Sequence, residues 1–229
     1  MTAHQRPPFD RARGTVIAVL AFGIAFGFLE ATVVVYLRAA IGAGTALPAD
    51  GPAFDSYVAL EVVREVTTLV MIAAVGWLAG RGGLERLAWA AVVFGTWDIT
   101  YYAGLRMVTG WPPALDAWDV LFLVPAAWVA PVWAPIVVSG ALVGVGLLAG
   151  WRLRTGGRVA VGRLEAIGGL IGGALVIASF LVDSARVVAG DLDPWSGSPV
   201  FWAGMAVAGL AAARALRGSM RLGPVEAEG

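Results

Sequence analysis

Long apolar runs alternate along the chain with short stretches that are polar or rich in Gly and Pro. A run of about 18 or more apolar residues is typical of a membrane-spanning helix. On this pattern we predict six such helices, over residues 15–37, 55–79, 84–108, 131–150, 164–188 and 199–216. They would form one six-helix transmembrane domain, residues 15–216, between tails at 1–14 and 217–229. The predicted fold class is all-α, a polytopic membrane helical bundle.

The stretch 118–151 interrupts this regularity. It is too long for one ordinary span, and it carries Pro125, Pro131 and Pro135. Prolines inside a membrane element are tolerated where neighbouring protein or a cavity satisfies the freed backbone groups. We therefore predict a short Pro-rich broken segment at 119–129 that precedes helix four. A single long kinked helix is the alternative.

Composition supports the membrane class and excludes several kinds of chemistry. The chain is 59% hydrophobic and 14% charged, whereas soluble domains are about 45–50% apolar and about 25% charged. It has no Cys, its one His is His4, and all 16 basic residues are Arg. These facts argue against disulfides, His-bearing metal or haem sites, a Ser-His-Asp triad and Lys Schiff bases. We expect no cofactor and no metal, and no basic run indicates nucleic acid.

The arginines outside the helices are distributed unevenly between the two predicted sides of the membrane. Twelve of the 16 fall on the side of the two termini and three on the other side, while Arg64 lies inside helix two. The positive-inside rule then predicts that both termini are cytoplasmic. Abundant Ala, Gly and Val beside Arg are typical of a GC-rich bacterial genome. The predicted location is therefore a bacterial inner membrane, with lipids as partners.

Glu61, Arg64 and Glu65 share one face of helix two, because they are spaced i, i+3 and i+4. Charges inside a membrane segment are costly, so they indicate a functional site by default. With the predicted orientation, all intramembrane charges fall in the outer half of the bilayer. This polar layer comprises the carboxylates Glu30, Glu61, Glu65, Asp98, Asp119 and Asp183, together with Arg64, Arg186, Tyr101 and Tyr102, and is rimmed by Arg38 and Arg106.

Some of these residues have a simpler interpretation. Asp119, and Asp183 with Arg186, fit interfacial positions at helix ends, and Glu61 fits a side chain that snorkels to the surface. Five tryptophans suggest an interfacial aromatic belt more than a ligand cage: Trp97, Trp111, Trp118, Trp128 and Trp133. Gly168 and Gly172 form a G-x-x-x-G pair, which predicts close helix packing within the chain or in a homo-oligomer.

Carboxylates, Arg and Tyr in a semi-dry site can support acid/base chemistry. The first hypothesis is a small membrane enzyme that acts on a lipid-phase, isoprenoid-like or lipid-like substrate. The catalytic candidates are Glu61, Glu65, Asp98 and Glu30, and the binding candidates are Arg64, Tyr101, Tyr102 and Asp119.

Two other functions stay open at this point, so the sequence does not decide whether the protein is an enzyme. One is a proton- or ion-coupled transporter, which intramembrane carboxylates and a broken helix would suit. The other is a non-catalytic membrane subunit whose charges form a structural ion-pair lock. A carboxylate-only metal site is disfavoured by Arg64 on the same helix face.

Four segments carry a resemblance: FLEATVVVYLR (28–38), REVTTLVMIAAVGWLAGR (64–81), FGTWDITYY (94–102) and WDVLFLVPAAWVAPVWAP (118–135). They resemble segments of bacterial polytopic membrane proteins that carry no assigned activity. The resemblance covers about the first 150 residues and transfers no catalytic residue. It implies that these segments work as one unit.

Overall fold

The computed structural model describes residues 8–40, 52–124 and 126–218. The described residues form seven helices and one two-stranded hairpin, in the order α1 (Pro8–Ala40), α2 (Pro52–Ala79), α3 (Gly83–Thr109), β1 (Trp118–Phe122), β2 (Trp128–Pro131), α4 (Trp133–Arg154), α5 (Arg163–Leu181), α6 (Ser184–Val188) and α7 (Ser198–Gly218). The predicted tail residues 1–7 and 219–229, and most of the loop between the first two helices, lie outside the described residues.

The all-α prediction fits, because the described chain is mostly helical. By length and composition, four described segments could cross a membrane: Phe9–Ala40, Trp133–Arg154, Arg163–Val188 and Ser198–Gly218. The surface agrees with an apolar surrounding, since large apolar side chains such as Leu78 and Leu170 are 83% and 75% exposed. Soluble monomers rarely expose such side chains as broad contiguous patches.

Helix α3 lies at the centre of the first four helices and packs against α1, α2 and α4. Two glycines allow the closest approaches. A Cβ on Gly27 of α1 would lie 2.3 Å from the Trp97 carbonyl oxygen, and one on Gly95 of α3 would lie 2.3 Å from the Ser139 carbonyl oxygen. Real side chains do not fit at that distance, so only glycine lets the backbones pack this closely. This packing fully buries Trp89 of α3.

Helices α5 and α7 form a second tightly packed pair. A Cβ on Gly172 would lie 2.5 Å from the Ala208 backbone nitrogen, and one on Gly168 would lie 3.1 Å from the Ala211 Cβ. Both glycines of the G-x-x-x-G pair therefore pack against α7 of the same chain. A homo-oligomer stays a prediction, but α7 of the same chain already covers Gly168 and Gly172.

The helices run alternately up and down, which defines two ends of the bundle. Phe9 at the start of α1 packs beside Trp151 at the end of α4, with ring centroids 6.4 Å apart. The Arg152 guanidinium donates a hydrogen bond to the Leu216 carbonyl at the end of α7, over 2.7 Å. Helix α1 therefore begins, and α7 ends, on the side of the bundle away from the hairpin, here named the opposite end. The strands lie at the other side, the hairpin end.

The segment between α3 and α4 is a β-hairpin, which the sequence analysis did not predict. Its strands pair antiparallel, with Asp119 opposite Ala130 and Val120 opposite Val129. The alternative of one long kinked helix is therefore wrong. Prolines remove the backbone donors that a helix needs, whereas pairing two short strands satisfies the remaining groups within the hairpin.

Candidate functional site

Arg64 of α2 joins two carboxylates from different helices. Its guanidinium donates to Glu30 of α1 and, through a second nitrogen and Nε, to both oxygens of Glu61 one turn earlier. The Nε–Oε2 distance to Glu61 is 2.9 Å. Glu30 is 5% exposed, while the Arg64 side chain is 22% exposed. The helix face seen in the sequence therefore does meet Glu30, and it ties α2 to α1.

Glu65 connects the same helix to the hairpin. Both of its carboxylate oxygens accept from the Leu123 backbone N–H, each at 3.0 Å. The residue is 5% exposed, and within the described chain no Arg lies within 4 Å of its carboxylate. Glu65 is thus a buried carboxylate held by a neutral donor.

Asp98 on α3 has a similar arrangement. The Ser139 hydroxyl of α4 donates to Asp98 Oδ2 over 2.8 Å, and the two residues are 9% and 1% exposed. In the described part of the protein, no salt bridge involves Asp98. Two carboxylates of the site, Glu65 and Asp98, are therefore buried without a cation against them.

Asp119 on β1 forms a third group with Tyr102 and Arg38. The Tyr102 hydroxyl donates to Asp119 Oδ2 over 3.0 Å, and Arg38 Nη2 lies 3.9 Å from Oδ1. Asp119 is 4% exposed. The protein itself therefore buries Asp119, and its interfacial position stays a prediction.

These groups surround one cavity of about 780 Å³, a volume typical of small-molecule sites. At the hairpin end its wall carries the charged and phenolic residues Arg38, Glu61, Arg64, Glu65, Asp98, Tyr101, Tyr102 and Asp119. Toward the opposite end its wall is apolar and comes from α4, α5 and α7, including Leu142, Val145, Ile177, Met205 and Ala208. Glycines Gly169 and Gly173 of α5 also line it. The cavity is therefore polar at one end and apolar along its length.

Two of the tryptophans that were interpreted as an interfacial belt also line this cavity. Trp97 is 6% exposed and stacks on Tyr101 with a centroid separation of 6.3 Å. Trp128 of β2 packs against Phe122 and Phe180. Both line the cavity, and their place in an interfacial belt stays a prediction.

Not every predicted residue joins this site. Glu30 reaches it only through Arg64 and is absent from the cavity wall. Asp183 lies at the end of α5, where it pairs with Arg186 at 3.3 Å and accepts from the Ser196 backbone N–H at 2.7 Å. It also stands apart from the cavity wall.

A second buried ion pair at the opposite end was missed by sequence reasoning. Arg154 at the end of α4 donates to Glu85 at the start of α3 and to the Ala79 carbonyl at the end of α2. Glu85 also accepts from the Trp89 indole at 3.3 Å and from the Arg81 backbone at 2.9 Å. Charges near helix ends are ordinary, so the sequence carried no signal for this pair. This ion pair connects α2, α3 and α4, and neither of its residues lines the cavity.

The described residues contain no group of three or more carboxylates or histidines placed to hold a metal ion. The chain was compared with protein-family models, curated proteins and solved structures, and no match was found. No relative therefore assigns a role to any residue of the cavity.

Proposed function

We propose that the protein is a small membrane enzyme that acts by acid/base chemistry on a substrate taken from the lipid phase. One observation carries this proposal. Asp98 and Glu65 are buried carboxylates without a cation partner among the described residues, and both line a cavity whose long wall is apolar. A carboxyl in such surroundings can take up and release a proton. The apolar wall would admit a hydrocarbon chain.

The contacts narrow the catalytic candidates. Glu61 and Glu30 are both bonded to the Arg64 guanidinium, so their carboxylate oxygens already have a partner. We assign Glu30 and Glu61 to holding Arg64 in place. Arg64 itself would orient the polar part of a substrate. Asp98 and Glu65 remain as the groups that exchange protons with it.

Tyr101, Tyr102 and Asp119 are assigned to binding at the polar end of the cavity. The hydrogen bond from Tyr102 to Asp119 holds the hairpin against α3 beside the cavity. Tyr101 presents its ring between Trp97 and Tyr102. These residues would position a substrate without exchanging protons with it.

Deuterium transfer tests the chemistry even while the substrate is unidentified. The proposed step protonates a substrate carbon, as in an isomerisation or a hydration, so in deuterated water it leaves a stable C–D bond. The purified protein is reconstituted in liposomes of bacterial polar lipid extract in deuterated water, and lipids are searched by mass spectrometry for deuterium at carbon. We expect Asp98→Asn and Glu65→Gln each to lower incorporation by about 100-fold or more. Asp183→Asn is the matched control, because Asp183 is equally buried but lies off the cavity wall. Unchanged incorporation in both cavity variants would refute the proposal.

We further propose six membrane spans in a bacterial inner membrane, with both termini in the cytoplasm and the hairpin end on the outer side. The arginine distribution supports this orientation. The chain has no cysteine, so single cysteines can be introduced without background. We expect a membrane-impermeant maleimide on intact cells to label Asp116→Cys near the hairpin and not Arg158→Cys in the loop before α5. The reverse labelling would overturn the orientation.

A structural ion-pair lock is a second candidate, favoured by one observation. Arg64 joins α1 to α2, and these two helices otherwise touch little. If this were the whole function, Arg64→Met would unfold the protein, whereas Asp98→Asn would change neither stability nor lipid chemistry. The deuterium experiment therefore separates the lock from the enzyme.

A further inference from the structure

Hydrogen-bond donors without partners collect on the cavity wall. Within the described residues, five buried side-chain polar atoms have no hydrogen-bond partner. Four of them belong to cavity-lining residues: Arg38 Nη1, Thr68 Oγ1, Trp97 Nε1 and Trp128 Nε1. Thr68 is 1% exposed, Trp97 6% and Arg38 8%. Buried polar atoms are nearly always satisfied, so four such donors on residues of one cavity wall indicate a ligand that accepts hydrogen bonds.

The chemistry of these four atoms limits what the ligand offers. A guanidinium nitrogen and two indole N–H groups can only donate, and the Thr68 hydroxyl can donate or accept. An ammonium head group has no acceptor and would leave Trp97 and Trp128 unpaired. The polar part of the ligand must therefore carry oxygen acceptors.

The charge on the wall argues against a phosphate or a carboxylate as that acceptor. Of the residues that the structure describes, four carboxylate residues, Glu61, Glu65, Asp98 and Asp119, and two arginines, Arg38 and Arg64, line the cavity. Each arginine is already paired with a carboxylate. An anionic head would meet an excess of like charge, which is costly at close range. A neutral hydroxyl could accept from the donors and also donate to Asp98 or Glu65.

We propose that the ligand of this cavity is a single-chain amphiphile with a neutral, hydroxyl-bearing head group. The head lies among Arg38, Thr68, Trp97 and Trp128 at the hairpin end, and the chain runs along the apolar wall of α4, α5 and α7. This inference rests on the proposed function and names the class of its substrate. It concerns binding alone, so binding can be tested apart from catalysis.

Quenching of tryptophan fluorescence measures this binding directly, since Trp97 and Trp128 line the cavity. The probes are three amphiphiles with the same dibrominated stearoyl-type chain and a glycerol, a phosphate-ester or an amine head. They are titrated into the full-length protein in non-ionic detergent. We expect saturable quenching with the tightest binding for the glycerol head. Tighter binding of the phosphate ester or the amine would overturn the ligand class.

Adjacent threonines supply a matched pair of variants. Thr68→Val removes an unpaired donor on the cavity wall and should weaken binding of the glycerol probe about fivefold, the value of one ordinary hydrogen bond. Thr67 is exposed, and its hydroxyl already donates to the Val63 carbonyl at 2.7 Å, so Thr67→Val should bind as the unaltered protein does. Equal binding by both variants would contradict the proposal.

Failure of this inference can be told from failure of the proposed function. Tight binding of the glycerol probe without any deuterium transfer to lipid would overturn the enzyme proposal and support the ligand class. Deuterium transfer that depends on Asp98, together with no saturable quenching by the glycerol probe, would overturn the ligand class alone. A Trp128→Phe variant locates the site, because it should reduce the saturable quenching; unchanged quenching would overturn the placement of the ligand beside Trp128.

Discussion

A larger side chain on α5 that fills part of the cavity should weaken ligand binding without destabilising the fold. Gly173 lines the cavity, and a Cβ built on it meets nothing within 4 Å. A leucine at this position would therefore extend into the space that we assign to the chain of the ligand. Because glycine is a poor helix former, Gly173→Leu should leave the free energy of unfolding unchanged or raise it by up to about 1 kcal/mol.

The size of the binding effect follows from steric exclusion. The hydrocarbon chain leaves one apolar phase to enter another, so little hydrophobic free energy is lost when it is kept out. The loss comes from crowding the leucine side chain and the hydrocarbon chain of the ligand into one space, which costs about 1–3 kcal/mol in a packed core. That range corresponds to binding weakened roughly 5- to 150-fold. The quenching titration with the glycerol probe measures it, and thermal unfolding in detergent checks the fold.

Gly144→Leu on α4 is the control for this experiment. Gly144 also has nothing within 4 Å of a built Cβ, but it is exposed and lies off the cavity wall. It should bind the probe as the unaltered protein does. Normal binding by Gly173→Leu would refute the proposed placement, because it would show that the hydrocarbon chain of the ligand does not lie beside residue 173.

Two further predictions concern packing and charge. Gly172→Ala should destabilise the protein by about 1–3 kcal/mol, because its Cβ would lie 2.5 Å from the Ala208 nitrogen; thermal unfolding as late as that of Gly173→Ala would contradict the packing. Arg154→Met should destabilise by about 3–5 kcal/mol, because it leaves Glu85 buried without its cation. Adding Glu85→Gln to that variant should recover part of the loss in the same unfolding assay, and no recovery would mean that the lost charge pairing is not the cause.

The helices were predictable because each is coded by a long local run of apolar residues. The ends were less predictable. Helix α1 begins at Pro8 instead of residue 15, and the fifth predicted helix divides into α5, which ends at Leu181, and the short α6. The hairpin escaped prediction because strands of five and four residues within an apolar run have no periodicity that distinguishes them from a helix.

The charged part of the site was visible in the sequence for a physical reason. Glu30, Arg64 and Asp98 are conspicuous because a charge in an apolar run is costly. The neutral partners were not visible. Ser139 and Thr68 lie in apolar runs where a hydroxyl is common, and only the fold shows that one is bonded to Asp98 and that the other is unpaired on the cavity wall. The Leu123 backbone contact to Glu65 depends on the unpredicted hairpin.

The distribution of partners among the carboxylates bears on what the site is for. A site built only to lock helices together would place a cation against each buried carboxylate, because an unpaired buried charge is strongly destabilising. Glu30 and Glu61 follow that rule through Arg64, and so does Asp119 through Arg38. Asp98 and Glu65 depart from it: among the described residues, each accepts hydrogen bonds from a single neutral donor, and each lines the cavity. Groups kept at such a cost beside an apolar cavity are the ones we expect to exchange protons with what enters it.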